Sequence, residues 1–341
     1  MTEPESGAEA EPTIAITGAA GYIGSRVVAD LREIHPDWEI RGFDNFYVGA
    51  LRSVAGVEIS HLDVRNRGRL EDALGGADVV MHLAAVSGVD DCASNPDLAY
   101  EVNVQGTENV AWWCRKEGAG LIFPFSVGVI GDPFEYPVTV SHPRNPLNWY
   151  TRTKHINERA IETFADGAFP AHLLMKGNLY GHHTVGGTEI SKGTVINFFL
   201  DRALSGEPLT VYEPGTQSRN YIHVKDVAGA YVESAERLLE TLAAGETGAR
   251  KYEIASDEDP SVMAVAELVS EIVAAEHSSA SEGGNRDEPE VKLVENPRAA
   301  ETLVDNFEID TSGAREELGW EATRSIEGTI RDLVRETTGE R

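Results

Sequence analysis

Thr13-Ile-Ala-Ile-Thr17-Gly18-Ala-Ala-Gly21-Tyr22-Ile23-Gly24-Ser25-Arg-Val-Val-Ala-Asp-Leu-Arg32 decides how this chain folds. Its first five residues read as a short buried strand, and those after Gly24 repeat apolar side chains at helical spacing. The glycines between them let the backbone turn tightly and approach a pyrophosphate. The helix that follows offers unpaired N–H groups and a partial positive charge at its start. A second strand follows, Glu39-Ile-Arg-Gly-Phe-Asp44. Asp44 stands twenty positions beyond Gly24, where a carboxylate accepts hydrogen bonds from an adenosine ribose. The alternative is a turn residue together with Asn45. A carboxylate there repels a 2′-phosphate and so favours NAD over NADP.

Strand and helix signals alternate from Thr13 to about Tyr180, which predicts an α/β fold with a doubly wound parallel sheet. The 341 residues suffice for two domains. We expect an acidic disordered tail over residues 1–12, a dinucleotide-binding domain over 13–180 plus about 221–255, and a smaller mixed domain over 181–220 and 256–341. The segment from His277 to Pro289 reads as a polar loop. Cys92 and Cys114 make no disulfide framework and fit reduced thiols in a cytoplasmic protein. No apolar run approaches the ~18 residues that a membrane span needs.

Fifty-seven acidic residues against 29 basic ones leave a net charge of −28, and only seven of the basic residues are lysine. Such a surface excludes nucleic-acid and anionic-membrane partners. Excess carboxylate with little lysine points to a halophile, and hence a haloarchaeal source, whose salt screens the repulsion. An acidic mesophilic protein is the alternative.

Tyr150 and Lys154, in Tyr-Thr-Arg-Thr-Lys, share one face of a helix a turn apart. An ammonium near a phenol favours the phenolate, a base able to take a proton from a sugar hydroxyl. Ser126 ends the strand-like Leu121-Ile-Phe-Pro-Phe-Ser126, where its hydroxyl can hold the reacting oxygen; bonding to its own backbone is the other reading. His182 and His183 lack a third ligand at metal spacing, so no metal is expected.

With Gly-x-x-Gly-x-x-Gly and Tyr-x-x-x-Lys in this order, the chain resembles the extended short-chain dehydrogenase/reductase family, the NAD-dependent nucleotide-sugar epimerases and dehydratases of the UDP-glucose 4-epimerase type. The resemblance runs from about Thr13 to the last helix. It implies a Rossmann-type sheet, an NAD cofactor, a nucleotide-diphosphate sugar substrate and a homodimer. It implies cofactor contacts from Gly18, Gly21, Tyr22, Ile23, Gly24, Asp44, Asn45, Tyr150 and Lys154. Asp63 and Val64 look like the adenine-contacting turn, and Leu83, Ala84 and Ala85 like the next cofactor loop. Asn103, in Asn103-Val-Gln-Gly-Thr-Glu-Asn109, looks like the helix motif that braces the central strand and the lysine. Catalysis falls to Ser126, Tyr150 and Lys154, and substrate binding to Asn178, Arg219 and Arg298.

Two positions depart from the pattern. Gly128 stands where relatives carry a second hydroxyl or an acidic residue, and Ile130 where tyrosine is usual. A 4,6-dehydratase needs an acid–base pair that Val127 and Gly128 do not supply. The expected reaction is therefore C4 epimerisation through a transient 4-keto sugar. A dehydratase or NAD(P)-dependent reductase of the same family, and a non-catalytic NAD-binding sensor, are the alternatives.

Overall fold

The computed structural model describes residues 11–280, 288–298 and 301–338. The strands are β1 (Thr13–Thr17), β2 (Glu39–Asp44), β3 (Ser53–Val54), β4 (Val57–His61), β5 (Val79–His82), β6 (Gly120–Ser126), β7 (Pro170–Lys176), β8 (Asn178–Tyr180), β9 (His183–Val185), β10 (Thr188–Ile190), β11 (Leu209–Tyr212), β12 (Tyr221–His223), β13 (Gly248–Ile254) and β14 (Val291–Val294). The helices are α1 (Gly24–Ile34), α2 (Arg67–Leu74), α3 (Val89–Ser94), α4 (Pro96–Ala99), α5 (Thr107–Glu117), α6 (Trp149–Ala165), α7 (Val195–Leu204), α8 (Val224–Ala243), α9 (Val262–Ala280) and α10 (Ile326–Thr338).

Eight strands form one sheet in the order β13-β7-β6-β5-β1-β2-β4-β3. All its pairings are parallel except that of the short β3 with β4. Strand order reverses between β1 and β5, and the carboxyl ends of those strands open the crevice where such sheets bind ligands. Both faces are covered, so the strands read as nearly continuous apolar runs. Ile14, Ile16, Val79 and Met81 face α1 and α8, meeting Val27, Leu31, Tyr231 and Leu238. Their neighbours Ala15 and Val80, with Leu121 and Phe123, face α2, α5 and α6, meeting Leu70, Val110, Trp113 and Ile161. That alternation follows from the two-residue period of a strand.

A third apolar cluster lies apart from the large sheet. It gathers Ile196, Phe199 and Leu200 of α7, Leu209 and Val211 of β11, Val265, Val269 and Ile272 of α9, and Ile330 and Val334 of α10. The parallel pairs β8–β12 and β11–β14 and the β9–β10 hairpin connect it to the rest. Between these parts α8 crosses back, and β13 pairs with β7 over seven residues. Helix α9 continues to Ala280, so the loop expected from His277 starts later than its polar composition suggested. The remainder of that loop to residue 287, and most of the expected tail, lie outside the described residues. Among the described residues, no helix is long and apolar enough to cross a membrane.

Helix α6, which carries Tyr150 and Lys154, is capped and anchored. Asn148 accepts from the backbone N–H of Thr151 at 3.0 Å, and Thr151 Oγ1 accepts from the Asn148 N–H at 3.3 Å, a reciprocal capping box. One turn beyond Lys154, the buried Glu158 accepts from Arg144 at 2.5 and 2.9 Å and from Lys251 of β13 at 3.0 Å. Burial pushes its carboxyl up, but Arg144 and Lys251 outweigh it and hold the group at about 2. A depressed carboxyl stabilises the fold fully above its unfolded value of 4.5 and loses that contribution as pH falls through about 2. Glu158→Gln leaves the largely buried Arg144 without its carboxylate, while Lys251 keeps Glu162 at 2.7 Å, and should cost about 3 kcal/mol in denaturant melts at neutral pH. Its loss should shrink as the titration moves from pH 4.5 toward 2.

Candidate active site

The glycine loop is built from close approaches that forbid a side chain. A Cβ on Gly24 would lie 2.1 Å from the Gly18 carbonyl oxygen, and one on Gly18 would lie 2.7 Å from the Ala84 nitrogen. Gly18 also takes a φ of +74°, which favours glycine. The loop closes through Gly21 N–H to Gly18 O at 3.1 Å and Ser25 N–H to Gly21 O at 3.0 Å. Among the described residues, no backbone carbonyl accepts from the N–H groups of Tyr22, Ile23 or Gly24. These donors at the start of α1 form an anion cradle.

Asp44 closes one side of that cradle. It is buried, with Oδ2 accepting from Ala20 N–H at 3.1 Å and Oδ1 from Phe46 N–H at 2.7 Å. Each oxygen keeps a lone pair for another donor. These bonds fit the turn reading of Asp44, and the lone pairs left over are free to accept from a ribose. Asn45 is exposed and caps Tyr47 N–H. Across β1, the Leu83 N–H bonds the Thr17 carbonyl at 3.0 Å, while Ala84 and Ala85 continue past it. Asp63 is held by Arg65 through bonds of 2.6 to 3.1 Å. Val64 is buried against Gly106, and Asn109 donates to its carbonyl at 3.1 Å. Cradle, carboxylate and glycine contacts fit a dinucleotide.

Asn103 lies in the π-helical turn Tyr100–Gly106. Its amide is bidentate to the backbone of Val86, accepting from the N–H at 2.8 Å and donating to the carbonyl at 3.0 Å, and it donates to Thr153 at 3.3 Å. Sequence reading missed the chain of polar groups beneath it. His82 bonds Thr17 Oγ1 at 2.7 Å and Thr107 Oγ1 at 3.0 Å, and Asn157 bonds Thr107 at 3.3 Å and the Asn103 carbonyl at 2.7 Å. Burial, with the charge of Lys154 added, pushes His82 down to about 3, so it acts as a neutral bridge. The signal was a histidine inside an otherwise apolar strand.

Ser126, Tyr150 and Lys154 come from β6 and the first turns of α6. Lys154 donates to the Pro124 carbonyl at 3.1 Å and lies 4.6 Å over the Phe123 ring. Ser126 Oγ accepts from Gly128 N–H at 3.2 Å, which leaves its own O–H to donate. Gly128 is wedged between them: a Cβ there would meet Thr151 Cγ2 at 3.0 Å and Ser126 Oγ at 3.4 Å. One expectation needs correcting. Burial, reinforced by Cys92, pushes Tyr150 above its usual range, with no offset from Lys154. The reason is that Lys154 itself is pushed down to about 7, chiefly by burial and then by the charge of Lys176. In the chain alone, burial outweighs the attraction between ammonium and phenolate.

The chain's family can now be stated, because the model described as the NAD dependent epimerase/dehydratase family matches residues 14–252. The chain belongs to that family. The enzyme is 30% identical to the UDP-glucose 4-epimerase of Rhizobium leguminosarum bv. trifolii over 241 residues, 67% of this chain and 73% of the relative. It is 28% identical to UDP-glucuronic acid decarboxylase 6 of Arabidopsis thaliana over 324 residues, 90% of this chain and 83% of the relative. The crystal structure of the Thermus thermophilus UDP-glucose 4-epimerase, a complex with NAD, matches with a TM-score of 0.76 at 25% identity, covering 96% of this chain and 99% of that one. NAD is the enzyme's cofactor.

The residues expected to bind substrate have protein partners of their own. Asn178 is exposed and donates to the Asn220 carbonyl at 3.1 Å. Arg219 and Arg298 share one carboxylate, Glu301, at 3.2 and 3.3 Å. Arg298 also pairs with Asp90 at 2.9 Å, and its guanidinium stands 5.5 Å from the Tyr212 ring. Asp226, in the first turn of α8, is buried and accepts from Thr323 and Arg324. His182 pairs with Glu189 at 3.3 Å, and His183 bonds the Tyr22 carbonyl at 2.8 Å.

Two outcomes test the cradle and the lysine. Gly24→Ala should abolish retention of NAD, read as bound nucleotide by native mass spectrometry, because the methyl meets backbone rather than a movable side chain. Lys154 binds its proton more weakly folded, at about 7, than unfolded, at 10.5. Stability of the NAD-free chain should therefore rise with pH across that window. Lys154→Met should remove its part of the slope, read as urea midpoint against pH.

Proposed function

We propose that the enzyme inverts C4 of a nucleotide-diphosphate hexose, with the stereochemistry of the UDP-glucose/UDP-galactose pair. The observation that carries this reading is the placing of Ser126 at the end of β6 and of Tyr150 and Lys154 on α6, with Gly128 in between, where an added Cβ would press on Thr151 at 3.0 Å. No carboxylate stands there to expel water, which speaks against a 4,6-dehydratase. The catalytic set speaks against a sensor, which needs the glycine loop but not an acid–base group.

Tyr150 takes the proton of the C4 hydroxyl and later returns it, while Ser126 donates to the C4 oxygen. Bound NAD supplies a hydride acceptor that gives the hydride back and, when oxidised, a positive ring that favours the phenolate. Lys154, held by the Pro124 carbonyl, is fixed at the turn below Tyr150 and adds to that field as it protonates. Arg219 and Arg298 exchange Glu301 for the diphosphate, whose oxygens match guanidinium forks. The diphosphate stays clamped while the 4-keto sugar turns and presents its other face.

Exposed Trp112 and Ile156 on the neighbouring α5 and α6 support pairing of two copies there. The charge of −28 supports a protein adapted to salt.

Purified enzyme mixed with UDP-glucose, without added NAD, should yield UDP-galactose at unchanged mass by NMR and mass spectrometry. Loss of water would overturn the reading. Tyr150→Phe should lower kcat by roughly 10²- to 10⁴-fold while NAD stays bound. Far-ultraviolet circular dichroism should fade as salt falls from about 3 M to about 0.1 M.

A further inference from the structure

Only seven lysines serve a chain with 57 acidic residues, yet three of them, Lys154, Lys176 and Lys192, meet at the cleft. Lys176 ends β7 in register with Ser126, which places it on the strand beside the catalytic hydroxyl. Lys192 reaches in from the segment before α7 and donates to Ser87 Oγ at 2.6 Å, just past the cofactor loop. Lys154 is spent on the Pro124 carbonyl, and Lys192 on Ser87 with Asp91 nearby. Lys176 has no hydrogen bond and no ion pair among the described residues.

Buried cations that outnumber their counter-ions cost free energy, and the cost shows at Lys176. Burial lowers Lys176 to about 8 with the charge of Lys192 adding to it, and Lys176 in turn lowers Lys154. An incoming anion relieves all three. The substrate diphosphate already has its own pair of guanidinium groups at Arg219 and Arg298. The anion that suits Lys176 must lie near the reacting oxygen held by Ser126. On a hexose turning over at C4, that is a carboxylate on the neighbouring C5.

We propose that the sugar is a hexuronate whose C6 carboxylate pairs with Lys176, with Lys192 in support. This rests on the C4 reading above and names the substrate within it. Gly128 agrees, since no acidic side chain stands there to repel a second carboxylate.

The test compares kcat/KM for UDP-glucuronate and UDP-glucose in the NAD-bound wild type, Lys176→Gln and Lys176→Arg. The ratio cancels any effect of Lys176 on Lys154, which both sugars share. Wild type should favour UDP-glucuronate, Lys176→Gln should lower the ratio roughly 10- to 100-fold, and Lys176→Arg should restore part of it. A wild type that favours UDP-glucose would overturn the inference and leave the C4 reading standing. Equal losses for both sugars in Lys176→Gln would overturn it too, by placing the lysine on the diphosphate. Inversion of neither sugar, with NAD retained, would remove the C4 reading and the inference with it. If Lys176→Gln does not fold, Lys192→Gln carries the same ratio test, with a smaller fall expected.

Discussion

The bond from Lys154 to the Pro124 carbonyl joins the two elements on which the cleft depends. Proline has no N–H for a ladder, so it is rare inside a sheet. Here the pairing of β5 with β6 ends at Ile122, before Pro124, while β6 and β7 stay paired to Ser126. The strands part where the missing donor would have been needed. The carbonyl freed by that parting takes the ammonium of α6. One imino acid thus opens the edge of the sheet and sets the height of the helix against it.

One turn further along, the same helix is fixed by Glu158, which draws in Arg144 from the preceding loop and Lys251 from the edge strand. The position of α6 against β6 and β13 is therefore held at two points, one dry carbonyl and one buried carboxylate. Between them runs the neutral chain Thr17, His82, Thr107, Asn157 and Asn103, which ties the cofactor strand to the same helix. Neutral groups suit that position because each can be satisfied without bringing charge into the core.

Electrostatics in the cleft run opposite to those of the surface. Outside, carboxylates outnumber cations about twofold, and most of the described arginines sit with an acid. Inside, lysines gather and depress one another, and the buried phenol keeps its proton. In the chain alone, the groups proposed for catalysis therefore do not yet carry the charges that the proposed reaction needs. The charges of cofactor and substrate complete them.

The parallel sheet and the cofactor loop were legible in the sequence, because glycine spacing, apolar runs and a helix start are local features. Ser126, Tyr150, Lys154 and Asp44 could be named for the same reason: each belongs to a short motif with a fixed place on its element. Tertiary structure decided what depended on neighbours distant in the chain. The titration of Tyr150 depends on burial and on Cys92, 58 positions away. The role of Asp226 depends on Thr323 and Arg324, and the sharing of Glu301 depends on two arginines brought together from separate loops. The grouping of Lys176 and Lys192 with Lys154 came last of all, because a sequence records which residues are charged but not which charges must share one unsolvated space.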